Sequence, residues 1–398
     1  MKITIITPAF PYPKRGDLNG LERYVENLAY FLKKKNNDIK IITTYWNGGN
    51  KFDNYKGIQI LRILDSKALL GRIGSIFCLN YVSFGLNLYR KKNLKFIDDS
   101  DAIITFMALG FTNFFKIKKV PMISVYFHYD FLRSFLDYLT YPFLHYLEKK
   151  QFKRHKNIIT ISNASKNDII KYYNINEKYI KVIPAGIDKN KFNPSNFSQE
   201  IRKNYGNNIL LYSGLMIYRK RISLLLKAMP YVIKEIPDVQ LILTGTGLLW
   251  NYFKKLSISL GIQKNTNFLG FVEDEELLKY YASSDLFVFP SESEGFGQVI
   301  LEAMASGTPV ICANKPPMSD IIGRGGITFK LNDSKDLSKK IIRLLKNKNQ
   351  LEELREKALD EIKKYERKNI VKTYINHFQH IINEKELKKW TSLSLLYN

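Results

Sequence analysis

The densest chemistry in this chain lies in Phe287–Ala313, FVFPSESEGFGQVILEAMASGTPVICA. An apolar run ends at Pro290, and a polar loop carrying Gly295 and Gly297 follows it. A helix is predicted from Gln298 to Ser306, with Gly307 placed to stop it and Pro309 beyond. A loop that feeds a helix N-terminus aims backbone N–H groups at solvent, and such a turn binds anions, phosphates above all. Neither glycine has a Cβ, so a ligand can come close to the main chain there.

Two carboxylates flank that turn. Glu294 lies in the loop and Glu302 eight positions later, inside the predicted helix. At 1.5 Å of rise per residue they are at most about 12 Å apart along the axis. That is about the span from the ribose to the sugar of a nucleotide-sugar, so the pair could hold hydroxyls at both ends of one donor. Glu302 sits among Val299, Ile300, Leu301, Ala303, Met304 and Ala305. An acid on a helix that is apolar almost all round needs a partner, which argues against a solvated surface role.

The surrounding sequence says what must position these groups. Lys2–Thr7 reads as a short buried strand, Pro11–Gly20 as a loop, Leu21–Lys35 as an amphipathic helix and Ile39–Thr44 as a second strand. Strand, helix, strand at this spacing is a βαβ unit, which builds a parallel sheet covered by helices. Further strands are expected at Ala102–Phe106, Met122–Phe127 and Asn157–Ile161. Periodicity breaks over Asp188–Ser198 and then restarts. Strands at 209–213, 239–244, 267–269 and 286–289 alternate with helices at 222–236, 248–260, 274–282 and 298–306, before a mostly helical tail from Ser334 to Ile382. Two doubly wound α/β domains joined near residue 190 follow. Their ligands are expected beyond the C-terminal strand ends, in the crevice between the domains.

Composition narrows the class. A chain of 398 residues with 45% hydrophobic and 25% charged side chains has enough apolar mass for two cores. Cys78 and Cys312 are the only cysteines, which excludes a disulfide framework or a cysteine-built zinc site and fits a reducing compartment. The net charge is +25, and residues 1–186 hold 30 Lys+Arg against 14 Asp+Glu. Such a field draws nucleic acid, anionic lipid or a phosphorylated substrate without choosing among them, and a generally lysine-rich composition explains it equally well. No nucleic-acid-binding signature is present, and a buried acid such as Glu302 gains nothing from a polyanion, so no nucleic-acid partner is expected. The longest uncharged run, Ile73–Tyr89, is too short to span a bilayer, and the first residues make a poor signal peptide. A cytoplasmic protein is expected, with membrane-surface contact left open by Phe131–Lys156, where aromatic residues precede the basic end KKQFKRHK.

The stretch from Glu294 to Glu302 resembles the E-x7-E signature of the retaining glycosyltransferases of family 4, which have the GT-B fold. Ile183–Asp188, IPAGID, is similar to that family's I-P-N-G-V-D, with Ala185 in place of Asn. Thr244–Gly247, TGTG, resembles its strand-end G-x-G, and Phe268–Val272, FLGFV, its base-contacting segment. The resemblance covers nearly the whole chain. It implies an acceptor-side domain over residues 1–190, a nucleotide-sugar-binding domain over 191–369, and a helix from about 370 to 398 packing back on the first.

The site residues below come from that resemblance. Glu302 would hold the ribose, Val272 would lie at the base, and Glu294 with the backbone of Gly295, Phe296 and Gly297 would hold the transferred sugar and its phosphate. The diphosphate would meet Lys220, but the family's arginine five positions before it is Leu215 here, leaving Arg219 or Arg221 to supply that charge. Gly20 matches the flexible glycine loop before the first helix, and His128 the histidine that approaches the donor sugar. With five histidines in the chain, one at a strand end stands out, although a core histidine is the alternative. The implied reaction is hexosyl transfer with retained configuration to a glycan or lipid-linked acceptor, with no metal and no cofactor beyond the donor. A nucleotide-sugar epimerase on the same fold is the alternative enzyme. Asp99–Ser100–Asp101 has the D-x-D spacing of the metal site in the other main glycosyltransferase fold. It precedes an apolar run instead of ending one, so a turn leading into a strand is expected.

Overall fold

In a computed structural model of the chain, residues 1–8, 10, 20–45, 50–63, 79–88, 90–106, 120–126 and 135–394 are described. They divide into two compact units, Met1–Pro184 with Ile370–Asn398, and Ala185–Asn369.

Among the described residues the first unit is built on eight strands: β1 (Lys2–Ile6), β2 (Asp38–Thr44), β3 (Phe52–Tyr55), β4 (Ile58–Ile63), β5 (Ala102–Phe106), β6 (Met122–Tyr126), β7 (Ile158–Thr160) and β8 (Ile180–Val182). Their order is β3-β4-β2-β1-β5-β6-β7-β8. All neighbours are parallel except the edge hairpin β3–β4. The β-branched runs of β1 and β5 are buried on both faces, as helices on either side of a sheet require. Val25, Leu28, Ala29 and Leu32 of the helix Gly20–Lys34 pack on Ile3, Ile5 and Ile41. Ile370, Tyr374, Phe378 and Ile381 of the last helix, Arg367–Ser394, enter the same core. There the hydroxyls of Tyr24 and Tyr374 hydrogen-bond each other.

The D-x-D triplet staples the N-terminal ends of this sheet. Lys40 of β2 donates to Asp99 at 2.7 Å, the backbone N–H of Lys2 donates to Asp101 at 2.7 Å, and Ser100 Oγ lies 2.7 Å from Thr4 Oγ1. In parallel sheets that end is opposite to the one that binds ligands. Residues 131–134 of the aromatic-basic segment lie outside the described residues. In the helix Phe135–His155, Leu147, Gln151 and Phe152 are buried, while Tyr146, Lys150, Lys153 and Arg154 are exposed.

The second unit holds six parallel strands: β9 (Ile209–Ser213), β10 (Gln240–Thr244), β11 (Thr266–Gly270), β12 (Leu286–Phe289), β13 (Val310–Ala313) and β14 (Gly326–Phe329). The order is β11-β10-β9-β12-β13-β14. The chain therefore starts centrally, builds outward through β10 and β11, and returns to the other edge of β9 with β12, where Leu286 pairs with Leu210. A reversal of this kind splays the two loops that leave β9 and β12 and opens a crevice beyond their C-terminal ends.

Candidate active site

Both loops at that reversal carry charged side chains, and they interlock. After β9 the chain makes one 3-10 turn, Tyr218–Lys220, and Arg221, at φ +51°, redirects it into the helix Ile222–Glu235. The backbone N–H of Glu292, in the loop after β12, donates to the Arg219 carbonyl at 3.0 Å. Lys220 is thereby turned inward, only 8% exposed, with Nζ 4.8 Å from the centre of the Phe289 ring.

Lys220 Nζ donates to Glu294 Oε1 at 2.5 Å, and Arg219 Nη1 lies 3.2 Å from the same oxygen. Arg219 also donates to the Ser293 carbonyl at 2.7 Å, and Ser291 Oγ donates to Glu294 Oε1 at 2.5 Å. None of these contacts uses Oε2. Burial by itself would raise the Glu294 carboxyl. The Lys220 and Arg219 charges, with the hydrogen bonds from Lys220 and Ser291, outweigh it and hold the group below the usual carboxylate range. Glu294 is an anion set between two cations. Arg221 turns aside to pair with Glu292 and to stack over Tyr218, so Arg219 is the arginine that stands with Lys220.

Next along the chain, Phe296 is buried edge-on against Tyr365, their ring centres 6.1 Å apart. Gly297, at φ +108°, opens the helix Gln298–Ala305 with no side-chain cap on its first turn. That positive φ is why a glycine stands there. The helix carries Glu302, 7% exposed, and Tyr281 donates to its Oε2 at 3.0 Å. Ser291 and Tyr281 were not apparent as site residues in the sequence. The one available signal was that a buried Glu302 demands a donor.

The remaining candidates are spread more widely. Gly245 and Gly247 allow the loop after β10 to lie directly on the loop after β9. An added Cβ would come 2.2 Å from the Gly214 carbonyl at the first and 2.6 Å from the Met216 carbonyl at the second. Val272 is half-buried two residues beyond β11. Leu215 is 51% exposed. Gly20 is the exposed first residue of its helix, and a Cβ there meets nothing within 4 Å. His128 lies outside the described residues. Among the described residues no cluster of His, Cys, Asp and Glu could hold a metal ion.

A doubly wound sheet with cations, a fixed carboxylate and an uncapped helix start at its reversal point makes this an α/β unit with an anion-accepting end. Residues 194–361 match the family model described as glycosyl transferases group 1, and residues 18–191 the model described as glycosyltransferase family 4. The chain belongs to the family 4, group 1 glycosyltransferases and is an enzyme of that class. Alpha-monoglucosyldiacylglycerol synthase of Streptococcus pneumoniae is 27% identical over 344 residues, covering 81% of this chain and 73% of that protein. Sucrose-phosphate synthase from Thermosynechococcus elongatus superposes with a TM-score of 0.82 at 18% identity, over 96% of this chain and 100% of that one. Anabaena HepE in complex with UDP-glucose gives a TM-score of 0.73 at 18% identity, over 96% and 100%. These two structural likenesses carry the fold, which is GT-B.

Proposed function

We propose that this glycosyltransferase moves a hexosyl group from a nucleoside diphosphate sugar to a glycan or lipid-linked acceptor, with retention of anomeric configuration. The observation that carries the reading is the joining of Lys220, Arg219 and Glu294 at the reversal of the second sheet. Departure of a diphosphate needs charge neutralisation more than protonation. Lys220, Arg219 and the helix start at Gly297 supply it, with Arg219 compensating for Leu215. Glu294 and the backbone of Gly295, Phe296 and Gly297 hold the sugar and its phosphate. Glu302 takes the ribose, the segment ending at Val272 meets the base, and Gly20 and His128 keep the roles that the family resemblance gives them. A carboxylate engaged by two cations is a poor nucleophile. Same-face attack assisted by the leaving phosphate is therefore preferred over a covalent sugar ester at Glu294.

The acceptor reading draws on the S. pneumoniae relative, which by name makes a glucosyldiacylglycerol. It also draws on exposed Tyr146 beside Lys150, Lys153 and Arg154. No described helix is long and apolar enough to cross a membrane, and a peripheral position on the cytoplasmic face is the arrangement we favour. Because HepE holds UDP-glucose, UDP-sugars come first in a screen that also includes GDP- and ADP-sugars. Incubating the protein with labelled donors and a lipid or glycan acceptor, with and without EDTA, tests the reading. Label should move to the acceptor, unaffected by chelation. Isomerised nucleotide-sugar with no transfer would overturn it.

A further inference from the structure

Glu302 is held by a group that solvent does not reach. Tyr281 lies in the last turn of the helix Asp274–Ser283, is fully buried, and packs its ring against Phe192 and Phe287, at 6.1 and 5.6 Å between centres. Its place is fixed from several directions. Thr308 Oγ1 donates to its carbonyl, the Ser198 backbone N–H donates to Ser283 Oγ at 2.8 Å, and Ser284 Oγ donates to the Tyr280 carbonyl at 2.7 Å. From this anchored ring the phenol donates to Glu302 Oε2 at 3.0 Å. The two residues come from different helices and stand 21 positions apart in sequence.

We infer that Tyr281 is a positioning residue for nucleotide recognition: it fixes the rotation of the Glu302 carboxylate and so sets the preference for ribose over deoxyribose. The inference rests on the reading that Glu302 meets the ribose. A carboxylate on a flexible side chain can rotate away from a diol, and discrimination by hydrogen bonding depends on holding the acceptor in one orientation. A buried hydrogen bond from a packed phenol does that. Tyr281 is fully buried behind Glu302, so its removal should leave diphosphate affinity intact and act only through the sugar hydroxyls.

The test uses the full chain and calorimetric titration with UDP, GDP and ADP and their 2′-deoxy counterparts. Wild type should prefer the ribonucleotide of its cognate base. In Tyr281→Phe, which keeps the packed ring, the ribonucleotide should bind about tenfold more weakly while the deoxynucleotide is unchanged, so the preference collapses. Glu302→Gln should lose the preference too, and adding Tyr281→Phe to it should change nothing further. Equal weakening of both nucleotides would mean that the phenol matters only for packing, and an unchanged preference would mean that it does not orient Glu302. Either result overturns the inference. Wild type showing no preference would remove the ribose reading of Glu302 itself.

Discussion

Lys220 and Glu294 meet across the reversal point of the second sheet, Nζ to Oε1 at 2.5 Å, with Arg219 3.2 Å from the same oxygen. In this arrangement the carboxylate neutralises the cations that the proposed function assigns to the diphosphate. An incoming phosphate has to share them with Glu294, and a departing nucleoside diphosphate leaves them to it. Glu294→Gln removes that internal competitor. Binding of the cognate nucleoside diphosphate alone should tighten about threefold to tenfold, from the loss of one nearby like charge. Transfer should fall by roughly 10²–10³ because the sugar loses its charged acceptor. Titration calorimetry and a transfer assay check both, and weaker nucleotide binding in this variant would show that Glu294 holds Lys220 in place instead of competing for phosphate.

The two neighbouring arginines should behave differently. Arg219 stands with Lys220, whereas Arg221 is committed to Glu292 and Tyr218. Arg219→Ala should lower kcat/KM for the donor by about 10–100-fold, as expected when a charged contact to a leaving group is lost. Arg221→Ala should change it no more than about threefold, at the level of a half-buried pair that has no assigned contact with the donor. Steady-state kinetics on the two variants decides between them.

A pH signature is built into the first unit. Burial pushes the Glu148 carboxyl up to about 7, against a lowering hydrogen bond from Tyr173. A group raised in the folded state stabilises it below the unfolded value near 4.5, and that contribution is lost as pH rises toward 7. His155, lowered by burial and by Arg154 to about 4, works in the opposite sense over an overlapping range. The clean measurement is therefore a difference. Relative to wild type, Glu148→Gln should gain about 1–2 kcal/mol between pH 4.5 and 7.5, discounted for partial solvent access. Melting temperatures across that range check it, and a flat difference would contradict it.

For the membrane reading, the exposed basic end of the helix Phe135–His155 is the region to alter. Replacing Lys150, Lys153 and Arg154 with Ser should weaken binding to anionic liposomes by about 1 kcal/mol per charge at low salt. Binding by wild type should itself fade as salt rises. Vesicle sedimentation measures this, and equal binding by the variant would place any contact elsewhere.

The alternation of apolar strands with amphipathic helices made most of the architecture readable. Central strands such as ILLYS and LFVF are continuous apolar runs, buried on both faces. The hairpin β3–β4 was not legible. FDNY lies at an antiparallel edge where burial selects few apolar residues, and its turn is Lys56–Gly57, both at positive φ, without the Asn-Gly or Asp-Gly that usually marks such a turn. Strands β8 and β14 were missed for a similar reason, because three or four residues, one of them Gly326, leave little pattern. In the site, Glu294 and Glu302 stood out by type and spacing, whereas Lys220 came only from the family resemblance, because a lone lysine in so lysine-rich a chain carries no signal. The choice between Arg219 and Arg221 did not stand out either, since it depends on a single left-handed residue that sends adjacent side chains to different partners. Tyr281 could not be read because its contact joins two helices through tertiary packing alone.

The claim that a pyrophosphate is bound at the junction of the β9 and β12 loops is tested most directly by one titration series. UDP, GDP and ADP are titrated calorimetrically into wild type and Lys220→Ala under the same conditions. One of the three should bind wild type with unit stoichiometry and bind the variant at least about tenfold more weakly, as loss of a buried charge-assisted contact requires. Equal affinity for both proteins, or no binding of any of the three to wild type, would contradict it.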